Sequence, residues 1–159
     1  MSPMHFFKTM LVLGTVTAFF VASPALADPD FDELVGKARA VDGDTLEFGF
    51  KRVDLWGADA LERFQRCIVN GQTTACGADA WQVVTNLIAA GPITCKVQGK
   101  NRYHRNMAIC RNANGIDIGQ SMIARGMAVA RTDEMPSYAA AENSALQSRS
   151  GVWAGQFID

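Results

Sequence analysis

Residues 41–62 read VDGDTLEFGFKRVDLWGADALE, and the fold turns on how this stretch pairs with itself. Residues 45–48 and 53–56 each alternate apolar and polar side chains, and Gly49–Phe50–Lys51–Arg52 joins them. The pattern predicts a β-hairpin with a four-residue loop. In an antiparallel ladder one opposed pair fixes all the others, so setting Phe48 against Val53 places Asp44 across from Gly57 and near Asp59. Glu62 follows Asp59 by one helical or turn step. Together these carboxylates suit a hard cation, which takes its ligands from carboxylate, carbonyl and water oxygens. Taken alone, Asp42–Gly43–Asp44 also reads as an ordinary polar turn.

The rest of the chain extends this hairpin. Residues 34–40 supply a strand before it, and residues 93–98 and 107–111 form a second hairpin centred between Arg102 and Tyr103, which brings the strands to about five. Between the hairpins, Trp81, Val84, Leu87 and Ile88 recur at helical spacing over residues 76–90, and Gly91–Pro92 stops the helix. After a turn at residues 112–115, Asp117 caps a helix that runs to Arg125 and ends at Gly126. A short strand at 127–131 and a closing helix at 138–148 follow, with Trp153 packing the tail onto the barrel. The expected class is α+β, mainly β: a five-stranded OB-fold barrel with about three helices, whose open face commonly receives oligonucleotides or oligosaccharides.

The N-terminal residues and the cysteines together point to a compartment. His5 and Lys8 precede an apolar stretch at residues 10–21, and Ala25–Leu26–Ala27 stands before Asp28. This is the pattern of a secretory signal peptide, residues 1–27, with too short an apolar run for a comfortable transmembrane span. Residues 28–159 then form a single domain, exported to the periplasm or extracellular space, monomeric and without stable membrane insertion. All four cysteines fall in that part, and an even count in an exported chain favours disulfides. The second hairpin sets Cys95 against Cys110, which leaves Cys67 and Cys76 to close a short loop. A zinc site is disfavoured because no C-x₂-C pair occurs and His104 is the one histidine of residues 28–159.

Without the signal, 14 basic side chains stand against 16 acidic ones, so the chain as a whole does not advertise a nucleic-acid binder. The charge is unevenly placed. Residues 91–116 contain no Asp or Glu but hold Lys96, Lys100, Arg102, Arg105 and Arg111, with Tyr103 central as a stacking surface. Such a lobe is suited to single-stranded nucleic acid by charge and stacking.

Four motifs in order, VDGDT at 41–45, LWGADALE at 55–62, NRYHR at 101–105 and GVW at 151–153, resemble those of the thermonuclease family, the staphylococcal-nuclease-like proteins. The resemblance spans roughly residues 35–153. It implies the same barrel and a calcium-dependent nuclease acting on DNA or RNA. Carried over position by position, Asp44 and Asp59 would hold calcium, Glu62 would act as general base or position water, and Arg105 would contact the phosphate and stabilise the leaving group. Arg52, Lys100, Arg102 and Tyr103 would help to bind single-stranded or denatured substrate.

The chain departs from that pattern where it matters. Asp54 stands where the family carries an arginine that grips the scissile phosphate, Ala60–Leu61 lacks the family's proline, Asn101 replaces an aspartate and His104 a glycine. Reversing a charge about 6 Å from a phosphate swings the interaction by roughly 5–6 kcal/mol at an effective dielectric near 20. Arg52, two residues from Asp54 on the same face of a strand, is expected either to substitute for the missing cation or to pair with Asp54. Two functions are therefore expected in competition: a calcium-dependent phosphodiesterase, and a non-catalytic module binding nucleic acid, polysaccharide or protein.

Overall fold

The computed structural model describes residues 32–158. The expected signal segment lies outside these residues. In chain order the elements are β1 (Glu33–Gly36), β2 (Arg39–Ala40), β3 (Thr45–Phe48), β4 (Lys51–Leu55), β5 (Ala58–Ala60), β6 (Arg66–Val69), β7 (Gln72–Thr74), α1 (Cys76–Ile88), β8 (Ile93–Lys100), β9 (Asn106–Arg111), α2 (Ile118–Ala124), β10 (Ala128–Ala130), α3 (Ala139–Ser148) and β11 (Gly155–Ile158). Short 3₁₀ turns at Pro136–Tyr138 and Gly151–Ala154 flank α3. The class is α+β and mainly β, as the periodicities predict.

The central hairpin differs from expectation by two residues. β3 and β4 pair Phe48 with Lys51, Leu46 with Val53 and Thr45 with Asp54, so the turn contains only Gly49 and Phe50. Gly49 has φ +61°, the left-handed first position that a two-residue type II′ turn requires, and this tighter turn wins over the four-residue loop. A slip of two preserves which side chains face inward. Leu46, Val53 and Leu55 remain in the core. It does change every cross-strand partner, with consequences at the site described below.

The main sheet has the order β1-β8-β9-β4-β3-β2, with β4 and β9 parallel and the other neighbours antiparallel. Its two edges, β1 and β2, are the halves of the single strand expected at 34–40, interrupted at Lys37–Ala38. The two edges of the sheet thus adjoin in the chain, no ladder joins them among the described residues, and the strands of the expected five-stranded barrel are observed as a six-stranded sheet. Ile93, Val84, Ile118, Met122 and Ile123 join Leu46 and Val53 in its core. Each such side chain, fully buried, contributes roughly 1.5–3 kcal/mol relative to exposure.

Two smaller sheets were not foreseen as such. β10 pairs antiparallel with β5, and β11 adds to the β6–β7 hairpin. Both disulfides form as expected: Cys95–Cys110 lies across the β8–β9 ladder, and Cys67–Cys76 ties β6 to the start of α1. α2 begins at Asp117, whose carboxylate accepts from the Gln120 N–H at 3.1 Å and from the Tyr138 hydroxyl at 2.8 Å. One side chain therefore caps a helix and anchors the C-terminal segment. Among the described residues no helix is long and apolar enough to cross a membrane.

Candidate active site

A cleft of about 650 Å³ is lined by Asp44, Asp54, Asp59 and Glu62 and by Lys100, Arg102, Tyr103 and Arg105. Every expected site residue except Arg52 lines it, although they come from two stretches whose near ends, Glu62 and Lys100, are 38 positions apart. Acidic groups arrive from the 41–62 stretch and cations from the turn between β8 and β9.

Asp44 is set by packing. A Cβ at Gly43 would lie 2.7 Å from the Cβ of Ala60 and 3.1 Å from that of Ala80, so only glycine lets this turn press against β5 and α1. Asp44 then accepts the Ala60 N–H at 2.8 Å through Oδ2, while its carbonyl accepts the Leu55 N–H at 2.8 Å. Burial pushes its carboxyl up to about 7, and the charges of Asp59, Asp54 and Glu62 push the same way against the Ala60 hydrogen bond. Asp59 is exposed in the middle of β5, opposite Val129. Glu62 is exposed beyond β5; partial desolvation and the charges of Asp42 and Asp59 raise its carboxyl above the usual range.

Asp54 is hydrogen-bonded through both of its carboxylate oxygens. Its Oδ1 accepts from Arg105 Nη1 at 2.9 Å and from the Thr45 hydroxyl at 3.1 Å, and its Oδ2 accepts from Asn101 Nδ2 at 2.8 Å. The hydrogen bond and charge of Asp54 hold the Arg105 guanidinium above its ordinary value. Asp54 is therefore an anchor with its charge already balanced, and a bare anion facing the cleft is not what the substitution produces. What it removes is the freedom of Arg105.

Arg52 meets neither of its two expected fates. In the observed register it stands directly across from Glu47, and its Nε donates to Glu47 at 2.9 Å. Arg39 binds the same carboxylate at 2.7 Å from the other side. The two-residue slip of the hairpin is the cause, since it brings Glu47 to Arg52 where the longer loop would have brought Gly49. Arg52 is not part of the cleft lining.

The turn carrying Arg105 is organised by Asn101. Its Oδ1 accepts the N–H groups of Tyr103 at 2.8 Å and Arg105 at 3.0 Å, and its carbonyl accepts the His104 N–H at 2.9 Å. His104 takes the left-handed conformation, φ +60°, which its glycine counterpart would adopt without steric cost. The turn thus forms with an asparagine at 101 and a histidine at 104. Lys100 lies at the end of β8, and the Arg102 guanidinium sits 4.9 Å from the Tyr103 ring centre.

Trp56, Arg131 and Glu134 also line the cleft and escaped the sequence reading. The Arg131 N–H donates to the Gly57 carbonyl at 2.9 Å, Glu134 accepts the Gly57 N–H at 3.1 Å, and the Trp56 indole donates to the Glu134 carbonyl at 3.1 Å. Arg131 in turn pairs with Glu134 at 3.4 Å. Trp56 comes with the end of β4, whereas the β5–β10 pairing brings Arg131 and Glu134 to the site, and no local motif marks that pairing.

As a place for calcium the acidic wall fits in chemistry, offering hard oxygen donors beside a carboxylate kept out of water and raised by like charges. It is sparse in number. Among the described residues no three acidic, histidine or cysteine side chains converge closely enough to hold a metal by themselves, so water or carbonyl oxygens would have to complete the shell.

Residues 52–155 match the family described as staphylococcal nuclease homologue. The chain is also 34% identical over 128 residues to the succinoglycan biosynthesis protein ExoI of Rhizobium meliloti (strain 1021), an alignment covering 79% of this chain and 67% of that protein. Asp44 and the rest of the VDGDT turn precede the family match, whereas Asp54, Asp59, Glu62 and the Asn101–Arg105 turn lie within it. On this match, and on the cleft that the same segments build, the chain belongs to the staphylococcal nuclease homologue family.

Proposed function

We propose that the cleft binds a phosphodiester chain, single-stranded or denatured DNA or RNA, in a site that keeps the layout of a calcium-dependent phosphodiesterase while hydrolysis is suppressed. The observation that carries this reading is the 2.9 Å pair between Arg105 and Asp54. Two cations are expected at these positions from the family pattern, and here they are replaced by one neutralised pair. Removing a single preorganised donor from a site of developing negative charge costs about 10²–10³ in rate.

The remaining groups have defined roles in what hydrolysis survives. Glu62, exposed and with its affinity for protons raised, takes a proton from the attacking water. Arg105 balances charge on the phosphoryl oxygens only when it leaves Asp54. Asp44 and Asp59 would hold calcium, which supplies positive charge against the phosphate when bound. Lys100 and Arg102 hold flanking phosphates, consistent with the cationic wall they form. The two disulfides suit an oxidising compartment, in keeping with the export expected from residues 1–27.

Calcium-dependent cleavage of denatured DNA by the oxidised protein tests the proposal, with binding measured in parallel. The wild type should bind and cut slowly, and the paired change Asp54→Arg with Asn101→Asp should raise cleavage at least about tenfold, or 1.4 kcal/mol of barrier. Rapid cleavage by the wild type, abolished in Glu62→Gln, would show that the Asp54–Arg105 pair suppresses nothing. The similarity to a succinoglycan biosynthesis protein favours a second reading, a polysaccharide in the same cleft. Binding of polysaccharide in place of DNA would establish it.

A further inference from the structure

Two turns at the cleft share one design. In the first, the Gln65 N–H donates to the Glu62 carbonyl at 2.8 Å, leaving Arg63 and Phe64 as the central residues of a four-residue turn. In the second, the His104 N–H donates to the Asn101 carbonyl at 2.9 Å, with Arg102 and Tyr103 central. Each turn thus places an arginine and then an aromatic ring at its tip. Each is also fastened to the cleft by its first residue, since Glu62 and Asn101 both line it.

The rings are offered to solvent. Phe64 is 89% exposed and Tyr103 68% exposed. A hydrophobic ring so exposed contributes little to the core, and two of them on matching turns require a common explanation. Their arginines are held beside them: the Arg102 guanidinium lies 4.9 Å from the Tyr103 ring centre, and that of Arg63 lies 4.0 Å from Trp81 and 5.8 Å from Phe64. Trp81 is itself fixed, its indole donating to the Ala40 carbonyl at 3.2 Å. The Arg63 N–H also reaches Asp42 at 3.4 Å, which ties the first turn to the VDGDT turn. Phe64 is two residues from Glu62, so their Cα atoms are at most about 7.6 Å apart.

We propose that Arg63–Phe64, on the turn that follows Glu62 at the edge of the cleft, forms a second stacking platform in addition to Arg102–Tyr103 in the lining, so that a single-stranded nucleic acid held in the cleft stacks bases on both turns. The inference rests on the phosphodiester reading above and deepens it. A planar ring at each turn holds bases without regard to sequence, because every base has a π face, and an adjacent guanidinium adds cation–π attraction and phosphate contact. Duplex DNA keeps its bases stacked on one another and offers nothing to either ring. The ligand class is therefore single-stranded.

Binding of a fluorescent oligothymidylate and of an abasic oligonucleotide of the same length tests this, using the full chain carrying Glu62→Gln to prevent cleavage. Phe64→Ala, at a position too exposed to disturb folding, should weaken oligothymidylate binding at least about fivefold, equivalent to about 1 kcal/mol. Binding of the abasic chain and the salt dependence should not change, since the phosphate contacts are untouched. Phe64→Trp should bind as well as the parent. Equal binding by Phe64→Ala and the parent overturns the platform and leaves the phosphodiester reading standing. Failure of the parent to bind either oligonucleotide overturns both, and tighter binding of duplex than of single strands overturns the single-strand assignment alone.

Discussion

Asp54 and Asn101 are each a departure from the family pattern, and they touch: Asn101 Nδ2 donates to Asp54 Oδ2 at 2.8 Å. An aspartate at 101 would set two carboxylates in contact, so an amide at 101 is the compatible partner for an acid at 54. The amide still performs the turn-holding task with its oxygen, on the N–H groups of Tyr103 and Arg105. Asp54→Asn should destabilise the protein by about 1–3 kcal/mol in denaturant titrations, because one charge-assisted bond weakens and its amide group faces that of Asn101. Asp54→Arg alone should be worse, since it sets a second guanidinium against Arg105. Adding Asn101→Asp should recover at least about 1 kcal/mol by giving the new arginine a carboxylate partner. Equal stability of the single and paired variants would show that the two positions are not coupled.

Among the elements, the β6–β7 hairpin depends most on a single cross-link. Cys67–Cys76 spans nine positions and fastens the hairpin to the first residue of α1, beside the ladder with β11 and the hydrogen bond from the Gly77 N–H to the Gln65 carbonyl. Cys95–Cys110 spans fifteen and lies inside the core, with both residues almost fully buried. Replacing Cys67 and Cys76 by alanine should therefore speed amide hydrogen exchange over residues 66–74 while β8 and β9 stay protected. Replacing Cys95 and Cys110 should lower global stability by about 2–5 kcal/mol, and unchanged protection in the first variant would assign the hairpin's order to β11 and the Gly77 hydrogen bond instead. These elements also show what sequence could convey. The α1 periodicity, the Asp117 cap and the Cys95–Cys110 register were legible because each is set by local spacing. The β3–β4 register was not, since Gly49 is compatible with turns of two or four residues and both leave the same face apolar. That ambiguity decided Arg52, whose partner changes with register. β5 and β10 are three residues each, too short to show alternation, and so Arg131 and Glu134 could not be assigned to the cleft.

At the scale of the whole molecule, the acidic wall makes stability depend on pH in an unusual direction. Folding raises the Asp44 carboxyl from 3.8 to about 7, chiefly by burial, so the folded state holds its proton more tightly than the unfolded chain does. The resulting contribution is fully present below about pH 4 and is lost as pH rises through about 7. Glu62 is raised as well and adds to the same trend. In chelator, the melting temperature should thus fall between about pH 4 and pH 7, by an amount set by a term on the order of a few kcal/mol. Asp44→Asn keeps an oxygen to accept the Ala60 N–H but carries no charge, and it should flatten this profile and melt higher than wild type above pH ~7. Calcium should restore the wild type there, since an ion bound only to the folded state stabilises it in proportion to the logarithm of its concentration over Kd. The variant should gain nothing from calcium. If the wild type likewise melts at the same temperature with calcium as with chelator, Asp44 and Asp59 are not metal ligands, and the buried carboxylate serves the turn at Gly43 alone.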